Sequence, residues 1–291
     1  MKKTAMFVAL AFICSGAIAQ DESSGLVSKK GENILPEADD WALMIDAVPV
    51  MNYLGNMLNG NLNNGSPSFG YPGTPLAITG KMFKDETTAY RAMIRLGFGS
   101  TNARNFVNND ATTTDPLDMV EDSRKTSYNN IVLGGGLEMR RGKTRLQGFY
   151  GGMLMFGIGG SKSTYSYGNA FTTTNMTPTS TTSWSPATAG PAASRTTESK
   201  AGSTMTIALR GFIGAEYFIF PKMSVGAEFG WGLGMTSTGD GESTTEYWDG
   251  ATNAPKSTTT TTGGNSAFGI DTDVKGTQLV PTSSLNLTLH F

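Results

Sequence analysis

Large apolar residues alternate with small or polar residues along several stretches of the chain. In residues 223–235 the apolar positions are every second residue from Val225 to Met235, and the positions between them hold only Ser, Gly or Glu. The final stretch, 284–291, alternates in the same way and ends on Phe291. Because successive side chains of a strand point to opposite faces, this pattern predicts strands with one apolar face. The alternation alone does not distinguish a core-facing strand from one that faces lipid.

The alternation predicts eight strands, and Pro49 weakens only the first of them because proline donates no ladder hydrogen bond. The predicted strands span residues 41–52, 76–84, 88–99, 128–140, 144–159, 205–219, 223–235 and 278–291. Short turns connect some of these strands, at 85–86, 141–143 and 220–222. Long segments rich in Ser, Thr, Asn and Gly connect the others, at 54–74, 100–126, 160–200 and 236–277.

Short turns that alternate with long loops are typical of an outer-membrane barrel, which has periplasmic turns and longer extracellular loops. A soluble all-β protein would have no reason to sort its loops by length onto one end. We therefore predict an all-β fold: an eight-stranded, antiparallel, up-and-down transmembrane β-barrel with long extracellular loops. Both chain ends would then lie on the periplasmic side.

The first residues have the pattern of a secretory signal peptide. Two lysines precede an apolar run, and small residues form an A-x-A cleavage site before Gln20. We expect 1–19 to be a signal peptide, 20–40 a periplasmic N-terminal tether and 41–291 the barrel. The alternative is a lipoprotein acylated on Cys14, which is less favoured because a large residue precedes that cysteine.

The composition is compatible with this fold. Cleavage would remove the single cysteine, so the exported chain would have neither disulfides nor thiolate chemistry. Loss of Lys2 and Lys3 leaves 20 of the 22 basic residues against 24 acidic ones, and a formal charge of −4 is too weak to suggest nucleic acid as a partner. No later stretch has the ~18–20 consecutive apolar residues of a membrane helix, so a membrane-spanning chain of this kind would form a closed barrel.

Three segments resemble a known class of protein. They are EADDWALMIDAVPVMNYLGN, GFIGAEYFIFPKMSVGAEFGWGL and the terminal LNLTLHF. Together they resemble the small outer-membrane β-barrel proteins of Bacteroidota, which are similar in architecture to the OmpA and OmpX barrels. The resemblance covers the strands and leaves the long loops uncovered. It implies that Leu287, Leu289 and Phe291 form the signal that the barrel-assembly machinery recognises.

The polar face of the strands would line a barrel interior just wide enough to be filled by side chains. Charges buried there cost several kcal/mol each unless they are paired and hydrogen-bonded. We therefore predict a salt-bridge network of three arginines and four acids: Arg91, Arg95, Arg210, Asp46, Glu138, Glu216 and Glu228. Such a network would plug the barrel and fix its register. A proton or ion path through the interior is the less favoured alternative.

Residue types suited to catalysis are scarce. The only histidine, His290, would lie at the periplasmic end, where it can serve neither as a base for an extracellular serine nor in a metal cluster. Glu216 and Glu228 could share a proton, but nearby arginines favour structural pairing. Loop acids could bind calcium, yet no EF-hand spacing is present. We expect no enzymatic activity, no cofactor and no bound metal.

Aromatic residues occur in the predicted extracellular loops. Tyr71, Trp184, Tyr247 and Trp248 lie in loops rich in Ser, Thr, Asn and Gly, a setting that suits contact with a protein or stacking on a sugar. The alternative is that these residues pack the loops against each other. Lipid-facing aromatics such as Trp231 could contact a larger outer-membrane complex, although lipid explains them equally well.

The sequence thus favours an outer-membrane protein with a structural or surface-binding role and an occluded, charge-paired interior. A narrow pore or transporter for small solutes and an accessory subunit of a larger outer-membrane complex are the alternatives. The expected partners are outer-membrane lipid and lipopolysaccharide, the barrel-assembly machinery during biogenesis, and an extracellular or outer-membrane protein.

Overall fold

The computed structural model describes residues 26–60, 77–112, 115, 117–272 and 284–291. This part of the chain is β structure apart from one helix, α1, over Val48–Leu58. The all-β class predicted from the alternation is therefore confirmed. The strands are β1 Trp41–Asp46, β2 Ile78–Asp85, β3 Thr88–Asn108, β4 Met119–Arg141, β5 Leu146–Ser166, β6 Thr179–Trp184, β7 Ala187–Pro191, β8 Ser194–Lys200, β9 Thr204–Phe220, β10 Met223–Thr238, β11 Gly241–Asp249, β12 Ala254–Thr262, β13 Asn265–Thr272 and β14 Ser284–His290.

Twelve of these strands form one antiparallel sheet, and β6 and β7 form a separate hairpin. From β1 to β5, each strand pairs with the next along the chain. β5 pairs with β9, β9 with β10, β10 with β14, and β14 with β1. At one end of the sheet β8 pairs with β5, β11 with β8, β12 with β11, and β13 with β10. We call this end distal, because it lies away from the turns that join β2 to β3, β4 to β5 and β9 to β10.

The structure has fourteen strands where the sequence predicts eight, partly because long strands are interrupted by short breaks. The register is continuous across one break. The pairing of β10 with β13 ends at Thr238 and Asn265, and the pairing of β11 with β12 resumes at Gly241 and Thr262. β10 and β11 therefore continue one another, and so do β12 and β13.

The breaks coincide with close approaches of the backbone. A Cβ atom on Gly202 would lie 1.8 Å from the carbonyl oxygen of Gly239, and one on Gly264 would lie 2.1 Å from the carbonyl oxygen of Thr238. No larger residue fits at Gly202 or Gly264 unless the backbone moves. The segments before β9, after β10 and before β13 all meet at this height of the sheet, and the distal strands begin beyond it.

The first predicted strand is shorter than expected. β1 ends at Asp46, and residues 48–58 form α1 with a proline in its first turn. Proline is well suited to that position because the first turn of a helix needs no N–H from it. The alternation that suggested a strand to residue 52 therefore gives way at Pro49.

Other strands are longer than predicted. β3 continues to Asn108 and β4 begins at Met119, so most of the predicted loop 100–126 is a hairpin of paired strands. The predicted loops 160–200 and 236–277 likewise contain strands β6 to β8 and β11 to β13. Most of these strands are rich in Ser and Thr on both faces, and this composition resembles that of a loop. The predicted strand 278–291 is described from Ser284 onward.

The predicted signal peptide and the start of the tether lie outside the described residues. Residues 26–40 are described, and Ile34 is only 1% exposed. The amide of Asp39 donates to the carbonyl oxygen of Phe83, and the amide of Phe83 donates to that of Asp40. The Lys222 ammonium also pairs with the Asp40 carboxylate. The end of this segment is thus fixed to β2 and to the β9–β10 turn.

The two faces of the sheet differ in solvent exposure. On β5, Leu154 is 59% exposed, whereas Met153 and Met155 on the other face are each 4% exposed. The buried apolar residues form two small groups: Met93, Phe149, Met153, Met155, Ala208 and Phe212 in one, and Ala42, Phe83 and Ala89 in the other. We call the face that carries them the inner face.

Within the described residues, no helix has the length and apolar character needed to cross a membrane.

Candidate functional site

A cluster of charged side chains is buried on the inner face near the turn end of the sheet. Glu138 is fully buried and accepts contacts from three cations. Its carboxylate lies 3.0 Å from Lys81 Nζ, 2.9 Å from Arg140 Nη1 and 3.5 Å from Arg91 Nε. The three cations come from β2, β3 and β4, so this one carboxylate joins three adjacent strands.

Two further glutamates complete this inner charge cluster. Glu228 on β10 accepts a hydrogen bond of 2.8 Å from Arg91 and another from Arg210. Glu216 on β9 pairs with Arg140 and lies 3.7 Å from Lys81 Nζ. The cluster therefore consists of four cations and three carboxylates: Lys81, Arg91, Arg140, Arg210, Glu138, Glu216 and Glu228.

Aromatic rings surround the cations of the cluster. Arg91 lies over the ring of Phe212 at 4.2 Å, Lys81 over Phe149 at 5.0 Å and Arg140 over Phe83 at 5.2 Å. Such contacts are favourable for a desolvated cation. Each of the four cations therefore has both an ionic partner and a ring, and the cluster is closely packed on the inner face.

The histidine lies beneath the cluster among aromatic rings. Its ring centroid is 5.5 Å from that of Phe83 and 5.1 Å from that of Phe218. Its Nε2 is 3.4 Å from the Ser224 hydroxyl, which in turn is 3.4 Å from Glu216. His290 is 4% exposed and Ser224 is fully buried. Both side chains are thus shielded from solvent, and the imidazole packs against the two rings.

The structure brings together five of the seven residues predicted for the network. Arg91, Arg210, Glu138, Glu216 and Glu228 all belong to the inner charge cluster. Asp46 is half-buried at the end of β1. Arg95 is half-buried on β3 and lies outside the cluster.

Two members of the cluster were missed by the sequence prediction. Strand alternation places Lys81 on the inner face, but it was not assigned to the network. Arg140 lies two residues after Glu138 and at the end of the predicted strand 128–140, so its parity alone could have assigned it to the network. It is 1% exposed.

A second buried polar cluster lies at the distal end, and we call it the distal polar cluster. The carboxylate of Asp122 on β4 is fully buried and accepts hydrogen bonds from the amide of Gly168 at 2.9 Å, the amide of Thr181 at 2.7 Å and the Thr181 hydroxyl at 2.8 Å. It thereby ties both ends of segment 168–181 to the sheet.

Asp110 strengthens this attachment. Its carboxylate accepts hydrogen bonds of 2.7 Å from the amide of Thr179 and from the side chain of Asn175. Burial opposes ionisation, but these hydrogen bonds and the charge of Arg195 hold the pKa of Asp110 below its ordinary value. The side chain of Asn169 adds hydrogen bonds to two carbonyl oxygens, those of Asn108 and Thr179.

Arg195 on β8 holds the same segment from the other side. It donates to Glu246 at 2.6 Å and to the Ser180 hydroxyl at 2.8 Å. Its guanidinium lies 4.4 Å from the ring of Tyr167 and 4.7 Å from that of Phe171. Burial raises the pKa of Tyr167 to about 12. Segment 167–184 is therefore folded over the inner face and is fixed there.

The residues predicted for loop binding have different settings. Trp184 is half-buried; its ring lies 6.1 Å from that of Tyr165, and Arg124 lies over it at 5.4 Å. Tyr247 and Trp248 are half-buried on β11, where they pair with Lys256 and Pro255 of β12. Tyr71 lies outside the described residues. Trp184 thus packs the folded segment against the sheet, which was the alternative interpretation.

The predicted barrel-assembly residues lie on the outer face of the last strand or just beyond it. Leu289 is 37% exposed and Phe291 is 71% exposed, while Leu287 between Asn286 and Thr288 is half-buried. Asn286, Thr288 and His290 on the opposite face are buried. The alternation read from the sequence therefore matches the two faces of β14.

Within the described residues, no group of three or more His, Cys, Asp or Glu side chains is arranged to hold a metal ion. Comparison with known proteins gives no match: no family model, no curated protein and no solved structure is similar to this chain.

Proposed function

We propose that this chain is an outer-membrane β-barrel protein with a structural or surface-binding role and an occluded, charge-paired interior. The observation that carries the proposal is the inversion of the usual arrangement of faces. Charged side chains are buried on the inner face, whereas large apolar side chains are exposed on the outer face. Soluble proteins rarely expose a continuous apolar surface of this kind.

The pairings support a closed barrel of eight strands. β1, β2, β3, β4, β5, β9, β10 and β14 each pair with two of the others, and the series returns to β1. A closed series leaves no free edge, which is what a hydrocarbon environment requires of strands. β8, β11, β12 and β13 are then continuations of these strands beyond the membrane.

The extent of the exposed apolar band supports a membrane location. On β5 it runs from Leu146 to Ile158, about 40 Å of strand at ~3.4 Å per residue. At the ~40° tilt of barrel strands this is roughly 30 Å in height, close to the hydrocarbon thickness of a bilayer. Beyond Ile158 the strand continues with Gly159, Gly160 and Ser161, which suits a polar environment.

The packing of the inner face supports an occluded interior. The side chains of Met93, Met153, Met155, Phe149 and Phe212 are buried together next to the inner charge cluster. The Phe83 and Phe218 rings are fully buried below it. Eight strands enclose a space that side chains can fill, so this interior is suited to bracing a barrel and poorly suited to conduction.

Heat-dependent gel mobility tests the barrel. We expect the protein, purified in mild detergent and loaded without boiling, to migrate differently in SDS from the boiled sample, because a closed barrel resists SDS. A soluble β fold would give one band in both lanes, and that result would reject the proposal.

Planar-bilayer recording tests the occlusion and the alternative of a narrow pore. We expect no sustained openings from the natural chain. The variant M153A/M155A should open, because the two methionines lie across the strand pairing from Gly136 and Gly134 and their removal leaves a gap. Met119→Ala, which alters an exposed methionine, is the matched control. Sustained openings from the natural chain would favour the pore.

A further inference from the structure

Arg95 is an unusual cation on the inner face. Among the described residues it takes part in no ion pair and no hydrogen bond, whereas the four cations of the inner charge cluster all have carboxylate partners. Alternation places it on the inner face with Arg91 and Met93, between the exposed residues Ile94 and Leu96. A half-buried guanidinium without a counter-ion is costly, and a bound anion would offset that cost.

The strand register shows which residues lie near Arg95 on β3, β4, β5, β9 and β10. Residues paired across successive strands at its height are Val132, Gly157, Thr206 and Thr236. One level nearer the turns, the corresponding residues are Met93, Gly134, Met155, Ala208 and Gly234. One level toward the distal end they are Gly97, Asn130, Gly159, Thr204 and Thr238. On these five strands Arg95 therefore lies between a level of Met, Ala and Gly residues, which we call the floor, and a level of Gly, Asn and Thr residues. At the next level the ring of Tyr128 lies over Gly99.

Asn130 adds a second unpaired polar group beside Arg95. It faces Gly97 on the neighbouring strand, and its buried Oδ1 accepts no hydrogen bond within the described part. Rotation of the amide would turn its Nδ2 toward a ligand bound by Arg95. The floor next to Val132 contains the side chains of Met93 and Met155, and methionine adapts to apolar groups of varied shape.

We propose that Arg95 is the centre of a binding site for a small amphipathic carboxylate on the distal side of the occluding side chains. The guanidinium would bind the carboxylate through paired hydrogen bonds, and the short apolar tail would contact Met93, Met155 and Val132. A single guanidinium matches one negative charge, so a carboxylate suits the site better than a phosphate, which carries more charge. The inference rests on the proposed function, because it requires the distal end to be open to the outside medium.

Calorimetric titration of the purified full-length barrel with hexanoate tests this site. We expect saturable binding of hexanoate and at least roughly tenfold weaker binding of hexan-1-ol, which keeps the tail and lacks the charge. Arg95→Gln should weaken hexanoate binding by about tenfold or more, and Arg95→Lys should lie between because it keeps the charge and loses the paired geometry. Arg104→Gln is the matched control, since Arg104 lies on the same strand with its side chain 62% exposed and pairs with Glu121.

Three results would overturn the inference: no binding of hexanoate to the natural chain, equal binding of hexan-1-ol, or equal loss of affinity in the Arg95→Gln and Arg104→Gln variants. The comparison of the two ligands needs no variant, so it remains decisive if Arg95→Gln does not fold. Heat-dependent gel mobility of the same sample separates the two proposals. A barrel that shifts on heating but does not bind hexanoate rejects only the carboxylate site, and a sample that does not shift rejects the proposed function.

Discussion

The two buried polar clusters of this protein satisfy their carboxylates in different ways. In the inner charge cluster, Glu138 is bound by Lys81, Arg91 and Arg140, all of which project from strands of the sheet. In the distal polar cluster, Asp122 is bound by backbone amides and a hydroxyl of segment 168–181. The first cluster joins strands that pairing already holds. The second attaches a segment that pairing to the sheet does not hold.

This difference predicts which part of the molecule is destabilised when one carboxylate is removed. The inner charge cluster is shared by five strands, so damage to it should weaken the whole sheet. The distal polar cluster lies between the sheet and one segment, so damage to it should release that segment and leave the sheet intact. The following substitutions test this distinction.

The largest effect is expected for Glu138→Gln. The substitution keeps the size of the side chain but leaves three buried cations with less counter-charge, and breaking a buried pair in this way typically costs about 3–5 kcal/mol of the free energy of unfolding. Urea unfolding in detergent micelles, followed by the heat-dependent mobility of the folded form, measures the change.

Glu121→Gln is the control for Glu138→Gln. Glu121 pairs with Arg104 at 3.4 Å, and both side chains are solvent-exposed. Exposed pairs contribute about 0–1 kcal/mol. Equal destabilisation by the two variants would show that the inner charge cluster has no special role in holding the sheet together.

Strand parity explains why much of the inner charge cluster could be predicted and the distal polar cluster could not. The register of a strand with one apolar face fixes which residues point inward, so Arg91, Glu138, Glu216 and Glu228 could be placed on one face from sequence. Arg95 has the same parity as Arg91 but lies four residues farther along β3, away from the carboxylates that bind Arg91. Parity therefore predicts the face and not the height.

The distal polar cluster has no comparable signal. Asp122 and Arg195 lie in strands with two polar faces. Because such strands lack the alternation of apolar and polar residues, the sequence predicts loops there. The partners of Asp122 are backbone amides, which every sequence supplies. The breaks in the strands around Gly239 could not be predicted from the sequence either, because the close approach of the backbones there involves strands distant in sequence.

Asp122→Asn should release segment 167–184 with a smaller cost. The new amide has one oxygen in place of two, so it cannot accept all three hydrogen bonds, and an unsatisfied buried donor costs about 1–3 kcal/mol. We expect faster proteinase K cleavage within 167–193 while the heat-dependent mobility of the remaining protein is unchanged.

Asp115→Asn provides the matched comparison for Asp122→Asn. The exposed carboxylate of Asp115 accepts a local hydrogen bond of 2.9 Å from the amide of Leu117 and, within the described residues, none from segment 167–184, so cleavage in 167–193 should proceed as in the natural chain. If Asp122→Asn instead abolished the heat-dependent mobility, both clusters would stabilise the whole sheet, and the distinction between them would be wrong.

The smallest effect is expected from acid at the tip of the β11–β12 hairpin, the most exposed part of the distal region. Hydrogen bonds from Lys256, Thr252 and Ala251 lower the pKa of Asp249 to about 2. Because the folded pKa lies below the ordinary aspartate value of ~3.9, this carboxylate stabilises the tip above that value and ceases to do so as the pH falls through about 2.

Hydrogen exchange of peptides from 241–262, corrected for intrinsic rates, should therefore show opening of the tip between pH 4 and pH 2, while peptides from β4 remain protected. Asp249→Asn should show the faster exchange at pH 5, since it removes the ionised acceptor, and the natural chain should approach the variant towards pH 2. Tip protection that is the same at pH 2 and pH 5 in the natural chain would mean that backbone pairing alone holds this hairpin, and that even the distal region is stabilised by strand register more than by its carboxylates.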